Sequence, residues 1–409
     1  MKKIIAIAVV AVVIMVGLRA FPAIESLLGE NSNKEVISPI GNVIDINTLG
    51  ATNNKKSYTI YGYLPYWTVS QKENFKLNLL TDISYFGLEI NSKGNLIKSR
   101  TNDEGEEINH SGYWVWENDY ALRDFMIRAK NSGVRTSISV VSHVDNVSEE
   151  FLLCEPCWET FYLEISDEMS KMGIKDLNLN FENYYLVEEN IALKFTEFVT
   201  FLKKKMRNDF AGGEIVVTAM ADSVINQRIT HIPSIAKVAD KIFIMAYDFH
   251  IKPEASSGPV SPMGGAGLHA GYDIRTMIKD FLAYAPPQKL IMGVPYYGFN
   301  WETEPNNNKE DMPKEDSVYS ITQTYAQIMA NIENDGIETL WDEPGQVPYY
   351  KYTDPESNSE RKVFFENEKS LRVKYKIVKE FDLAGIGIWA LGYDEDRPEL
   401  WNVIKEEFY

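Results

Sequence analysis

Three polar side chains set two residues apart raise the first chemical question in this sequence. In "DLNLNFENYY", residues 176–185, Asn178, Asn180 and Glu182 share one parity, and Leu177, Leu179 and Phe181 share the other. Residues two apart on a strand point to the same face. The stretch would therefore line two amides and a terminal carboxylate along one side. Buried amides must be hydrogen-bonded, and a buried carboxylate is expensive without partners. A carboxylate at the tip of such a strand is a natural candidate for a proton donor. The same alternation also suits an antiparallel strand with its polar face in water, and only the wider pattern separates the two.

That pattern is regular. From Tyr58 onward, short apolar, β-branched runs alternate with helical ones. Eight strand candidates stand out: "TIYGYLPYW", "DISYFGLEI", "VRTSISVV", "DLNLNFEN", "EIVVTAMA", "DKIFIMAYD", "KLIMGVPYYGF" and "AGIGIWALGYD". Amphipathic helices lie between several of them, among them "WENDYALRDFMIRAKNSG", "WETFYLEISDEMSKMG" and "VEENIALKFTEFVTFLKKKMRNDF". Alternation of this kind implies parallel strands with right-handed crossovers. Eight units favour an α/β fold closed as a (β/α)₈ TIM barrel over an open sheet. Glu182 would then sit at the carboxyl end of the fourth strand, where barrels hold their chemistry.

One stretch is too long for a connection. Residues of about 300–365, between strand seven and strand eight, carry patterns of their own. "SITQTYAQIMANIEND" reads as a helix, and "ETLWDEPGQVPYYKYTD" with "RKVFFEN" reads as β. Structureless loops of that size are uncommon in compact domains, so a small α+β insertion is expected there.

Composition narrows the partners. The 409 residues, 44% hydrophobic, can bury a large core, and the formal charge of −18 argues against nucleic acid or anionic lipid, which need a basic face. A neutral polymer is permitted. Lys2 and Lys3 precede an apolar run from Ile4 to Leu18 that Arg19 ends. That run has the length of a signal-peptide core and is short for a spanning helix, which wants roughly 20 residues. Residues 1–19 therefore read as a signal peptide or an N-terminal membrane anchor, and export to the outside or the cell surface is expected. Residues 20–56, ending in "GATNNKKS", read as a linker before a barrel over 57–409. The two cysteines, Cys154 and Cys157 in "LLCEPCWE", suit a local bridge or two free thiols better than redox chemistry. They lack the second pair that a zinc site needs.

Taken together, these motifs resemble family 18 glycoside hydrolases, the chitinase-like barrels. Residues 175–182 lie on that family's D-G-x-D-x-D-x-E signature, with Glu182 on the final acid and Asn180 and Asn178 on the two Asp positions before it. "YGYLPYW" resembles the family's first strand, "IMAYD" its Met-x-Tyr-Asp element, "MGVPYYGF" its seventh strand and "GIGIWALGYD" its eighth. The similarity runs from about Tyr58 to the C-terminus, and it is the combination that is specific.

The resemblance implies hydrolysis of β-1,4 bonds next to N-acetylhexosamine, with retention, in chitin, peptidoglycan or N-glycan. In this family the substrate's own acetamido oxygen is the nucleophile, an exception to the two-carboxylate scheme. It further implies that Glu182 protonates the glycosidic oxygen and Tyr247 holds the acetamido carbonyl. Met245, Asp248 and Asn178 would shape the subsite, Trp389 would floor it and Tyr63 would line its wall. No metal or organic cofactor is implied, and a monomer is expected. Asn180 is a departure, because an amide accepts a hydrogen bond but brings no negative charge to a developing cation. Two other readings stay open: a weakly catalytic glycan-binding protein on the same barrel, and a glycosidase pairing Glu182 with Asp248 or Asp394.

Overall fold

The structure, a computed structural model, describes residues 57–251, 257–266, 271–303 and 320–409. The expected export segment and linker, residues 1–56, lie outside these. Eight parallel strands close on themselves: β1 (Thr59–Pro65), β2 (Asp82–Glu89), β3 (Arg135–Ser142), β4 (Asp176–Phe181), β5 (Ile215–Met220), β6 (Lys241–Met245), β7 (Leu290–Pro295) and β8 (Gly385–Trp389). Each pairs with the next in chain order, and β8 pairs with β1.

The strand that opened the question is buried along its whole length. It pairs in parallel with β3 and β5, with Asn178 opposite Ser139 and Asn180 opposite Val141. An antiparallel strand with a wet face is thereby excluded. Leu177, Leu179 and Phe181 face outward and are buried. Phe181 lies 5.2 Å, ring to ring, from Phe195 on the helix Glu189–Asp209, and 6.0 Å from Phe151 on the helix Asp145–Leu153. Side chains of this size each remove on the order of 2 kcal/mol worth of apolar surface from water.

Large rings fill the barrel interior. Tyr61 and Tyr63 pack on Phe243 at centroid distances of 5.6 and 4.8 Å. The space for Phe243 exists because position 387 on β8 has no side chain: a Cβ there would stand 2.0 Å from the ring.

Several elements differ in detail from the sequence reading. The expected helix "WENDYALRDFMIRAKNSG" is two helices, Ser111–Asn118 and Tyr120–Asn131. They break at Asp119, whose carboxylate accepts the Leu122 N–H and caps the second helix. The run "KLIMGVPYYGF" is also two elements. β7 ends at Pro295, which has no N–H to continue a ladder, and the chain leaves the barrel at Tyr297–Thr303.

That departing strand is the first member of a five-stranded antiparallel sheet. Its order is Ile321–Thr324, Tyr297–Thr303, Glu360–Phe364, Val347–Thr353 and Leu340–Asp342. The sheet thus starts at Tyr297, ahead of the expected residue 300. The helix read over "SITQTYAQIMANIEND" begins only at Tyr325, because Ile321–Thr324 pairs with the departing strand. Thr324 and Gln327 form a reciprocal capping box at that point. Ile328, Tyr350, Val363 and Phe365 give this module a core of its own. A short hairpin, Ser99–Thr101 with Glu107–Asn109, between β2 and β3 carried no legible signal. Cys154 and Cys157 form a disulfide at the junction of the helices Asp145–Leu153 and Glu155–Met172.

Candidate active site

The carboxyl ends of the strands open onto a cleft with two lobes, of about 420 and 480 Å³. Glu182, Tyr184, Met245, Tyr247 and Asp248 belong to both lobes, so the lobes meet at these residues. Glu182 follows directly after β4, and its side chain is only 16% exposed. Its backbone N–H donates to Ser142 O at 3.0 Å, which sets the tips of β3 and β4 side by side.

One layer deeper, Asn178 is fully buried. Its Oδ1 accepts from the Ser139 hydroxyl at 2.7 Å and the Tyr63 hydroxyl at 3.1 Å. Its Nδ2 donates to Val216 O at 3.2 Å and Thr218 Oγ1 at 3.1 Å. Every hydrogen-bonding position of the amide is used. The expectation that Asn178 contacts substrate is therefore corrected: it supports the floor from inside the barrel. Asn180, two residues on and about 6–7 Å nearer the mouth, does line the cleft. Its Oδ1 is enclosed without a hydrogen-bond partner.

Asp248 follows the β6 turn with φ of 59°, a conformation that Asp tolerates better than most residues. It opens onto the cleft and accepts a hydrogen bond from the Tyr297 hydroxyl. Loss of hydration pushes its carboxyl up to about 6; the Tyr297 hydrogen bond opposes the rise and repulsion from Glu182 adds to it. Burial raises the Tyr247 hydroxyl far above its usual range, so it stays protonated and able to donate. Trp389 closes the other lobe. It packs edge to face on Phe86 at 4.8 Å and on Tyr63 at 5.4 Å, with Trp67 at 6.3 Å. Tyr63 itself reaches the cleft only at its floor, being 1% exposed.

The cleft therefore gathers Glu182, Asn180, Tyr247, Asp248, Met245, Trp389 and Tyr63. Asp394 is not among its lining residues. It is buried, and its carboxylate accepts the Trp401 indole N–H, so the reading that pairs it with Glu182 is set aside. Sequence reasoning missed a second group that lines the cleft: Glu89, Arg100, His110 and His143. Burial raises the Glu89 carboxyl, but the His110 hydrogen bond at 3.2 Å and the charges of Arg100, His110 and His143 outweigh it and hold the group below its usual range. His143 Nε2 stands 3.5 Å from Glu182 Oε1. The one legible signal was that His143 lies two residues beyond the strand candidate "VRTSISVV". Among the described residues, no group of three or more His, Cys, Asp or Glu could hold a metal ion.

A closed eight-stranded barrel with a carboxylate, a protonated phenol and an aromatic floor at its carboxyl end has the architecture of a barrel glycosidase. Residues 59–394 match the family described as Glycosyl hydrolases family 18, and the chain belongs to that family. It is 29% identical over 175 residues to the cortical fragment-lytic enzyme of Bacillus subtilis (strain 168), covering 42% of this chain and 35% of that protein. With the di-N-acetylchitobiase of Mus musculus it shares 24% identity over 308 residues, 69% of this chain and 79% of that one. The chain spans between 35% and 53% of the length of its first Bacillus relatives. Among solved structures, the Cycas revoluta family 18 chitinase in complex with (GlcNAc)3 superposes with a TM-score of 0.69 at 20% identity. That match covers 86% of this chain and all of that one.

Proposed function

We propose that the chain hydrolyses β-1,4 bonds next to N-acetylhexosamine in chitin, peptidoglycan or N-glycan, with retention and with the sugar's own acetamido group as nucleophile. Glu182 gives its proton to the glycosidic oxygen, the C1–O bond breaks and the leaving sugar departs as an alcohol. The acetamido oxygen closes on C1 to form an oxazolinium ion. Water then attacks C1, Glu182 takes a proton from it, and the acetamido group is released. Tyr247 donates to the acetamido carbonyl, and Trp389 lies under the apolar face of the sugar.

The observation that carries this reading is the convergence of Glu182 and Tyr247, where the two lobes meet, with the orphan Asn180 oxygen that lines the first of them. An enclosed acceptor without a partner calls for a donor, and an entering acetamido N–H is a donor of the right kind. The missing charge at Asn180 also favours a second reading, a glycan-binding barrel that cleaves slowly.

Product analysis on chitin oligomers, peptidoglycan and high-mannose glycans, side by side, tests the proposal. Glu182→Gln should bind oligosaccharide with near-parental affinity and lose turnover by about 10²–10⁴-fold. A thiazoline mimic of the cyclised sugar should inhibit the parental protein. Glu182→Gln at parental rates, or no inhibition by the thiazoline, would overturn the mechanism. Binding without turnover in all three glycans would select the second reading.

A further inference from the structure

We propose that His143 is the positioning residue of the proton donor: its Nε2–H holds Glu182 Oε1 and leaves Oε2 to carry the proton towards the bond that breaks. The inference rests on Glu182 being the acid. His143 and Glu182 are the first residues beyond β3 and β4, and the Glu182 N–H to Ser142 O hydrogen bond keeps those tips in register. Any side chain at 143 is thus delivered beside any side chain at 182. The imidazole Nε2 is enclosed, makes no hydrogen bond, and faces Glu182 Oε1 at 3.5 Å. Such contacts are often long before substrate binds and tighten in the complex.

On β4 the fully buried amide cannot do this work. Asn178 has spent both its amide donors on Val216 and Thr218. Asn180 offers the site an amide where the family signature has a carboxylate. Around the pair stand Glu89 at the end of β2, Arg100 and His110 from the hairpin region, and Tyr247 with Asp248 beyond β6. Glu89 lies within electrostatic reach of His143.

The energetic argument concerns timing. While Glu182 holds its proton, an N–H donor gives Oε1 an ordinary hydrogen bond. As the proton moves to the glycosidic oxygen, the carboxyl becomes an anion and the same bond becomes charge-assisted, roughly twice as strong. An interaction that strengthens only in the transition state raises kcat and leaves KM alone. No proton is consumed, because Nε2 keeps its hydrogen throughout and Glu182 recovers its own from the attacking water.

The test compares two leaving groups. On an unactivated chitooligosaccharide, His143→Leu should lose about 10- to 100-fold in kcat with KM nearly unchanged. On the 4-nitrophenyl glycoside of diacetylchitobiose, which needs little acid help, the loss should be no more than about threefold. His143→Gln, whose amide N–H reaches to about the place of Nε2, should recover most of the loss. Equal losses on both substrates, or none, would overturn the proposal while a dead Glu182→Gln leaves the enzymatic reading standing. Nitrogen-15 imidazole spectra read the contact without catalysis, with the His143 signal assigned by its absence in His143→Leu. The Nε2–H tautomer is expected, with a shift that changes in Glu182→Gln; an identical His143 signal in both proteins would sink the pairing.

Discussion

One substitution, asparagine to aspartate, should have opposite effects at two positions on β4. At 178 it removes two donors, leaves the Val216 carbonyl facing an oxygen, and buries a charge. Asn178→Asp should lose about 1–3 kcal/mol of stability in a denaturation curve. At 180 the side chain borders the cleft and its oxygen has no partner to lose. Asn180→Asp puts negative charge beside the developing oxazolinium and should raise turnover about 10- to 100-fold, below the full value of such a group because the surroundings have adapted to an amide. If Asn180→Asp is equal or slower on an N-acetylglucosamine oligomer, the amide belongs to a working mechanism. Asp248 gives a separate test by carbon-13 carboxyl titration. Its midpoint near 6 should move up in Tyr297→Phe, which removes a hydrogen bond to the charged form, and down in Glu182→Gln, which removes a like charge. Shifts in the reverse directions would mean that other groups control it. The sequence showed which face Asn178, Asn180 and Glu182 share, because parity sets the face. It did not show depth, so Asn178 was read as a contact when it is a support. The contact of His143 with Glu182 was not legible because the two lie one strand apart, a relation that only the closed barrel creates.

Among the elements, the barrel strands were the most legible. A strand covered on both faces is a run of β-branched and aromatic residues, and β2, β3, β5 and β6 read that way. Boundaries were less so. The strand beginning at Tyr297 continues the composition of β7, and only the missing N–H at Pro295 marks the change of sheet. Where the added sheet rejoins the barrel, Glu366 and Lys374 form an ion pair at 2.9 Å, exposed by 2% and 0%. Glu366 follows the last sheet strand, and Lys374 lies on the helix Glu368–Glu380 that leads into β8. Removing one partner strands a charge, so Lys374→Met should cost about 3–5 kcal/mol. The double change Glu366→Leu with Lys374→Met should recover most of it, since apolar replacements of a buried pair are often neutral. A single variant as stable as the parent would show that Glu366 takes up a proton at no cost.

At the scale of the whole molecule, we propose that residues 1–56 carry the barrel out of the cytoplasm, on the strength of Lys2, Lys3 and the apolar run from Ile4 to Leu18. The Cys154–Cys157 bridge suits an oxidising compartment. A reporter fused behind residues 1–56 should be recovered outside the cytoplasm of a bacterial host, and a reporter found wholly in the cytoplasm would overturn this.

The Tyr297 hydroxyl, on the first strand of the added sheet, ends on Asp248 of the barrel. One hydrogen bond across the border between the two modules therefore ends on a residue that lines the cleft. An engineer who deletes this sheet, or grafts another in its place, also reaches the chemistry of the site. Asp248 loses the partner that favours its ionised form, and the proton inventory of the site changes with the architecture. Swapping this module is for that reason a chemical mutation, to be scored on the titration of Asp248 as well as on turnover.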